Sequence, residues 1–339
     1  RLEATGAPYI PRPLRAAYVL WSATRQLVRK IKQEGRPRLI IAEGIQEQAI
    51  AWMVHRSTGV PFAAHVHEGY DADETLSPFN KFLLKTEGAA LREADFLIYP
   101  EARRAELYQR RYHTDRPTFI AFNAPRLRRK AEGIDLRKKL NLPADAVLMC
   151  YLGGIGDPNA LEEGVAALVH VPKVHFLLWG WGDEAYLKQI RATAQAVGVC
   201  DRVHLLGQIE GEKWTHLDAC DLSYCLYKPI NFRFRHQATA SNKLLESWAA
   251  GLCVVTSSSE DFKTLLQKYP TGVCARDTTP QGIAQAIERM TSNPPLMRQM
   301  SATALEAHRS IFHYEKQFAP VLEYIVAHYG DHTAKAASS

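Results

Sequence analysis

Lys243 and Glu246 stand at the mouth of an otherwise apolar run in the stretch "ATASNKLLESWAAGLCVVTSSSED" (238–261). Thr239, Ser241 and Asn242, just before it, are good N-cap residues, so a helix is expected to start there. A helix N-terminus offers free N–H groups and partial positive charge, which suit a phosphate. A lysine in the first turn opposes that dipole unless an anion such as a diphosphate reverses the local sign. Glu246 shares a helix face with Lys243. Its carboxylate could accept two hydrogen bonds from the vicinal hydroxyls of a ribose. Phosphate at the helix tip and ribose one turn deeper describe a nucleotide site. The competing reading of the same two residues is an i,i+3 ion pair on an ordinary surface helix.

A second stretch, "VLMCYLGGIGDPNALEEG", reads as a strand, a glycine turn and a helix capped by Asp157 with Pro158 at its first position. Gly153, Gly154 and Gly156 would let the backbone approach a ligand closely. Asn159 stands where a dinucleotide fingerprint needs its third glycine. The next strand, "HFLLWG", also ends without the acidic residue that would hold an NAD ribose. A glycine turn facing the nucleotide helix across one sheet edge fits better. "NFRFRHQ" adds Arg233 and Arg235, either cations for a diphosphate or members of a solvated basic loop.

These residues need a scaffold, and the chain supplies one. Short β-rich runs ("RLIIAEG", "VPFAAHVH", "DFLIYP", "PTFIAFN", then "AVLMCYLGG", "KVHFLLWG", "RVHLLG", "CDLSYCLY", "GLCVVTSS", "TGVCA") alternate with longer helical patterns. Such β-α repetition implies parallel sheets covered by helices on both faces, an α/β doubly wound fold. The polar, proline-flanked segment "NAPRLRRKAEGIDLRKKLNLPADA" breaks the rhythm and sets the expected domains at 1–127 and 128–319. The first half shows fewer strands than the second and opens on the loop-like "RLEATGAPYIPRPL", so its first β-α units are expected to be missing. Pro320 interrupts the last helical pattern, where a kink is expected.

The 339 residues, 46% hydrophobic and 23% charged, are those of a globular protein with no membrane-spanning run. Six cysteines without a C-x-x-C pair suggest buried thiols of a reduced, cytoplasmic protein. Residues 1–139 hold 25 Lys/Arg against 16 Asp/Glu, and residues 140–339 hold 17 against 20. The charge is thus concentrated in the first half. In "EARRAELYQRRYH", Arg103 with Arg110 and Arg104 with Arg111 would form one basic helix stripe, followed by Arg126, Arg128, Arg129 and Lys130. Such a face suits anionic headgroups or a lipid-diphosphate acceptor, and peripheral contact with the inner face of a membrane is the expectation; a solvated face is the plainer reading. No nucleic-acid-binding motif is visible.

Asn231, "SNKLLE-x-x-AAG-x-x-VV" (241–255), and "GWGDE", "VHLLGQI" and "ACDLSYCLY" before them resemble the donor domain of retaining glycosyltransferases of family 4. The resemblance implies the GT-B fold, two Rossmann-like domains facing across a cleft, with a last helix (about 320–332) crossing back to the first. It places Glu246 on the donor ribose, Lys243 beside the phosphates within Ser241, Asn242 and Leu244, and Gly207 to Ile209 at the base. Gly153 and Gly154 fall near the diphosphate and sugar. In the first half, "VPFAAHVHEG" resembles the strand that ends in the family's active-site histidine, here His67, with His65 two residues before it; Asn123 matches a structural asparagine before the linker.

The pattern also departs from the family. Ala238 replaces the first of two glutamates, and Gly154 and Asn159 fall where an arginine and a lysine usually clamp the diphosphate. Asp71-Ala72-Asp73 forms a D-x-D, but in a loop of the half that should not bind donor. No other carboxylate or histidine cluster shows ligand spacing, so no metal or other cofactor is expected. The reading is a metal-independent hexosyltransferase that moves a sugar, with retention, from a nucleoside-diphosphate sugar to a hydroxyl of a glycan, glycolipid or small molecule. The alternatives are a nucleotide-sugar-binding pseudo-enzyme and a nucleotide-sugar epimerase on the same fold.

Overall fold

The computed structural model describes residues 12–69, 78–209 and 211–330. They fall into two compact units, one within Arg1–Phe122 and Phe318–Ser339, the other within Asn123–Gln317. The division follows Phe122 rather than residue 127. Asn123 already belongs to the second unit, donating through Nδ2 to the Ala240 carbonyl at 2.9 Å and through its backbone N–H to that of Thr239 at 3.2 Å.

The first unit is built on a parallel sheet of β1 (Ile40–Glu43), β2 (Phe62–His65), β3 (Phe96–Tyr99) and β4 (Thr118–Ile120), in that order. β2 and β3 are buried throughout, which is why they read as unbroken apolar runs. Helices Ile45–Thr58, Pro78–Glu93 and Ala102–Tyr112 connect the strands. A helix, Arg12–Glu34, begins in the last residues of the segment read from sequence as loop-like, and its Leu20 packs with Ala49 and Leu83. At the other end, helix Tyr314–Tyr329 runs on as one element with Pro320 inside it. Its Phe318, Val321, Tyr324, Ile325 and Tyr329 lie near one helical face and join Ala63, Phe96 and Ile98 in the core of this unit.

The second unit has β5 (Val147–Leu152), β6 (Val174–Trp179), β7 (Val203–Gly207), β8 (Leu222–Cys225), β9 (Cys253–Thr256) and β10 (Gly272–Cys274). All pairings are parallel, in the order β10-β9-β8-β5-β6-β7. The chain runs outward from β5 to β7, then restarts on the other side of β5 with β8. The switch point lies between β5 and β8, and a crevice at the carboxyl ends of two such strands is where doubly wound sheets bind ligands.

Candidate functional site

Two chain segments flank that switch point. After β5 comes the glycine turn. Gly153 has φ +149, a backbone angle that side chains with Cβ rarely adopt. Across from it, a Cβ on Gly180 would meet the Gly153 carbonyl oxygen at 1.7 Å, so only glycine lets the ends of β5 and β6 approach this closely. The turn continues into a single 3-10 turn, Asp157–Asn159, and the helix starts at Leu161. Asp157 is therefore not an N-cap. Its carboxylate takes Lys228 at 2.5 Å, which Glu163 also holds at 2.7 Å.

After β8 the chain passes through a one-turn helix, Phe232–Arg235, where the sequence suggested a loop, and enters helix Asn242–Ala249. Of the three candidate caps, Ser241 does the work: its Oγ accepts from Leu244 N–H at 3.2 Å and lies 2.6 Å from Tyr227 Oη. Ser241 and Leu244 are buried and Asn242 is exposed.

Lys243 answers the question its position raises. Glu246 is not its partner. The ammonium donates to Asn159 Oδ1 at 2.8 Å and to Tyr151 Oη at 3.3 Å, and lies 4.3 Å and 4.5 Å from the ring centroids of Tyr151 and Tyr227. All of these are neutral. Desolvation pushes its pKa down to about 8, the Cys225 thiol opposing that shift. The stem reaches the glycine turn, with Cδ 3.7 Å from where a Gly153 Cβ would stand. Asn159 couples the two segments, donating to the Gly154 carbonyl at 3.1 Å while accepting from Lys243. The site is thus a cation without an anionic partner among the described residues, against a glycine turn and at a helix N-terminus.

Glu246 is paired with Lys213 at 2.6 Å, a residue the sequence reading did not select. Lys213 opens the short helix Lys213–Leu217 after β7, and only the pairing of β6 with β7 brings that segment to the same edge. Gly207 and Gln208 are exposed and Ile209 half-buried at the end of β7. Arg233 stacks on Phe234, its guanidinium carbon 4.9 Å from the ring centroid, and Arg235 is exposed. Neither is among the groups within hydrogen-bond or ring distance of Lys243. Ala238 is buried, and its N–H is taken by Asp261 Oδ2 at 3.1 Å.

In the first unit, His65 ends β2 and His67 follows, their ring centroids 3.8 Å apart. Burial and the neighbouring His67 push the pKa of His65 down to about 3, so it is neutral. Arg104 donates to the His67 carbonyl at 2.7 Å. That arginine is 4% exposed, so it does not contribute to the basic stripe expected on its helix. Arg128 is likewise not a solvated cation: it pairs with Asp218 through both terminal nitrogens, at 2.9 Å and 2.6 Å, over the Trp214 ring. The fold brings together a histidine-carboxylate cluster that sequence spacing does not show. Strand pairing sets Glu43 opposite His65, and ligand atoms of Glu43, His65 and His67 lie within 4.8 Å of one another. Asp71 and Asp73 lie outside the described residues.

Two parallel-sheet α/β domains, the second with a glycine turn and a helix N-terminus at its switch point, define a protein of the GT-B type. Residues 149–293 match the model described as "Glycosyl transferases group 1", and residues 1–121 that of the "Glycosyl transferase 4-like domain". Both matched stretches are thus similar to glycosyltransferase domains, and the fold is GT-B. Among curated proteins it is similar to the lipopolysaccharide core biosynthesis glycosyltransferase LpsE of Rhizobium meliloti, 26% identical over 167 residues, which span 49% of this chain and 45% of that protein. The match therefore covers less than half of that relative. Among solved structures, sucrose-phosphate synthase from Thermosynechococcus elongatus aligns with a TM-score of 0.77 at 22% identity, over 96% of this chain and 83% of that one. HepE from Anabaena, in complex with UDP-glucose, gives 0.71 at 17% identity over 92% and 82%. WaaG, described as a glycosyltransferase of lipopolysaccharide biosynthesis, gives 0.65 at 13% over 96% and 85%.

Proposed function

We propose that the chain transfers a hexose, with retention, from a nucleoside-diphosphate sugar to a hydroxyl acceptor of the kind found on surface polysaccharides. The observation that carries this reading is Lys243: a half-buried lysine with only neutral partners among the described residues, at a helix N-terminus and against a glycine turn. A diphosphate would complete it. The likeness to LpsE and to the UDP-glucose complex of HepE supports the same donor and acceptor classes.

In the reaction, the bond from the anomeric carbon to the diphosphate oxygen breaks and a bond to the acceptor oxygen forms on the same face. The acceptor proton passes to the leaving phosphate. Lys243 and the N–H groups of helix Asn242–Ala249 stabilise the charge that develops there, so this reading requires no metal. Glu246 exchanges Lys213 for the ribose hydroxyls, Gly207 to Ile209 border the base, and His67 is the histidine that the family resemblance assigns to catalysis. With Asn159 hydrogen-bonded to the ammonium, Lys243 is the cation that stands in for the missing clamp; Arg233 and Arg235 would serve only after moving.

Calorimetric titration of UDP, GDP and their sugars, followed by donor turnover with and without acceptor glycans, tests the proposal. Sugar transfer to acceptor supports it. Binding without turnover would favour a pseudo-enzyme, and a nucleotide-linked product an epimerase.

For the acceptor side we place contact with an anionic lipid surface on the groove between helices Arg12–Glu34 and Ile45–Thr58, about 610 Å³, lined by Trp21, Arg25, Arg29, Lys32, Trp52 and Arg56. Trp21 is 51% exposed, and tryptophan among cations suits a headgroup layer. No described helix is long and apolar enough to cross a membrane. Co-flotation with phosphatidylglycerol vesicles and not with phosphatidylcholine vesicles, lost in Trp21→Ser/Arg25→Ser, is the expected result. Equal behaviour with both lipids would remove the groove.

A further inference from the structure

We infer that Glu43, His65 and His67 form a three-ligand site for a divalent transition-metal ion, beyond the transfer reaction proposed above. β1 and β2 are adjacent parallel strands, and their register sets Glu43 opposite His65. All three ligand atoms already lie within 4.8 Å of one another. Two ligands on one zinc ion stand about 3–4 Å apart, given metal-ligand distances of about 2.0–2.2 Å, so closure needs only small side-chain rotations. Glu43 can supply them, since its side chain is 68% exposed.

The backbone beneath is fixed. The His65 carbonyl accepts from Gly44 N–H and Gln48 Nε2, both at 3.1 Å, and Val66 N–H donates to Ile98 at 2.8 Å. Arg104 holds the His67 carbonyl from the other side. The His65 ring is buried and its nitrogens are not paired to the fold. His65 is 8% exposed, and its Nε2 is buried with no hydrogen-bond partner among the described residues. Its Nδ1 faces Glu43 Oε1 at 3.8 Å, beyond hydrogen-bond reach. An ion between Glu43 and the two imidazoles would take His65 through Nδ1, the nitrogen that faces Glu43, which has no hydrogen bond of its own to give up. Two imidazoles and one carboxylate suit Zn²⁺, Co²⁺, Ni²⁺ or Cu²⁺, whereas Mg²⁺ and Ca²⁺ prefer oxygen. Three protein ligands leave at least one position open to water or a hydroxyl. A bound ion would occupy the His67 imidazole, so it should inhibit any step that uses that ring.

The test is titration of the whole chain with Zn²⁺, with Co²⁺ as the absorbing surrogate and Mg²⁺ as control, without nucleotide. One equivalent of Zn²⁺ should bind, and Co²⁺ should give a visible spectrum without a thiolate charge-transfer band. Glu43→Gln, at an exposed position that the fold does not need, should weaken binding about tenfold or more, and His67→Ala should abolish it. His204→Ala should leave it unchanged; His204 and His175 form the other close histidine pair, 3.2 Å apart in the second unit. Absence of binding, a thiolate band, or affinity unchanged from the native chain in Glu43→Gln or His67→Ala would each overturn the site. Because the readout is metal binding to the free protein, failure of the donor reading would leave this result standing.

Discussion

Lys243 carries the most testable physics. Its folded-state pKa is lowered, so the folded state holds that proton less tightly than the unfolded chain. For a depressed lysine the folded state is penalised at low pH, and stability should rise as pH climbs from about 8 towards the usual lysine value. Lys243→Met should abolish that rise and leave the fold unharmed or more stable, as urea midpoints measured across that window will show. The same variant should lose roughly tenfold or more in nucleoside diphosphate affinity, since charge-assisted hydrogen bonds are worth about 1.5–3 kcal/mol. Affinity for the uncharged nucleoside should hardly change. In the native protein, diphosphate affinity should fall as pH rises through about 8, where the ammonium loses its proton. Equal losses for nucleoside and nucleoside diphosphate would mean that Lys243 only shapes the pocket. Glu246→Ala should instead weaken nucleoside and diphosphate alike, by about 1–3 kcal/mol. Unchanged calorimetric affinity would leave Glu246 as no more than the partner of Lys213.

The spacing of Lys243 and Glu246 was legible in the chain, and so were the cap and the glycine turn, because these are local patterns. Their partners were not. Asn159 and Tyr151 reach Lys243 only because β8 returns beside β5, and Lys213 reaches Glu246 only because β7 lies on the far side of β6. Arg104 misled for the opposite reason: its helix stripe is real in sequence, but one member turns inward to the His67 carbonyl. The elements themselves were readable wherever burial on both faces made a strand uniformly apolar. Two departures are instructive. The helix Arg12–Glu34 was hidden behind a proline-rich start, and Asp157 looked like a cap but is engaged by Lys228. At the turn, Gly180→Ala should displace the end of β5, because its Cβ meets the Gly153 carbonyl rather than a movable side chain. Donor affinity should drop even though the substituted residue touches no ligand. Ser241→Ala should cost about 0.5–2 kcal/mol of stability through the lost cap. A denaturation midpoint unchanged in Ser241→Ala would show that neither the cap nor the Tyr227 contact to the same hydroxyl holds the helix entry.

The two units are tied by chain connectivity that sequence order alone conceals. The first unit takes its last core face from the end of the chain: Val321 is fully buried there, and Tyr324 packs its ring against Phe96 and Phe119 at centroid distances of 5.1 Å. A helix that begins in the second unit thus completes the sheet bearing His65 and His67. Pro320 withholds one N–H from the helix, leaving the Lys316 carbonyl without its usual donor. The contacts of the following turns offset that loss. Truncation after Ala319 should therefore strip one face of β2 and β3 while sparing the sheet built on β5. Hydrogen exchange measured strand by strand separates the outcomes: amides of β2 and β3 should lose protection, and those of β5 and β6 should keep it. Titration of the truncated chain with nucleoside diphosphate should still report the Lys243 site, since every group that holds that ammonium lies within 123–317. Protection unchanged in β2 and β3 would mean that the first unit is complete without the tail. Loss of diphosphate binding would mean that the donor site itself depends on the first unit.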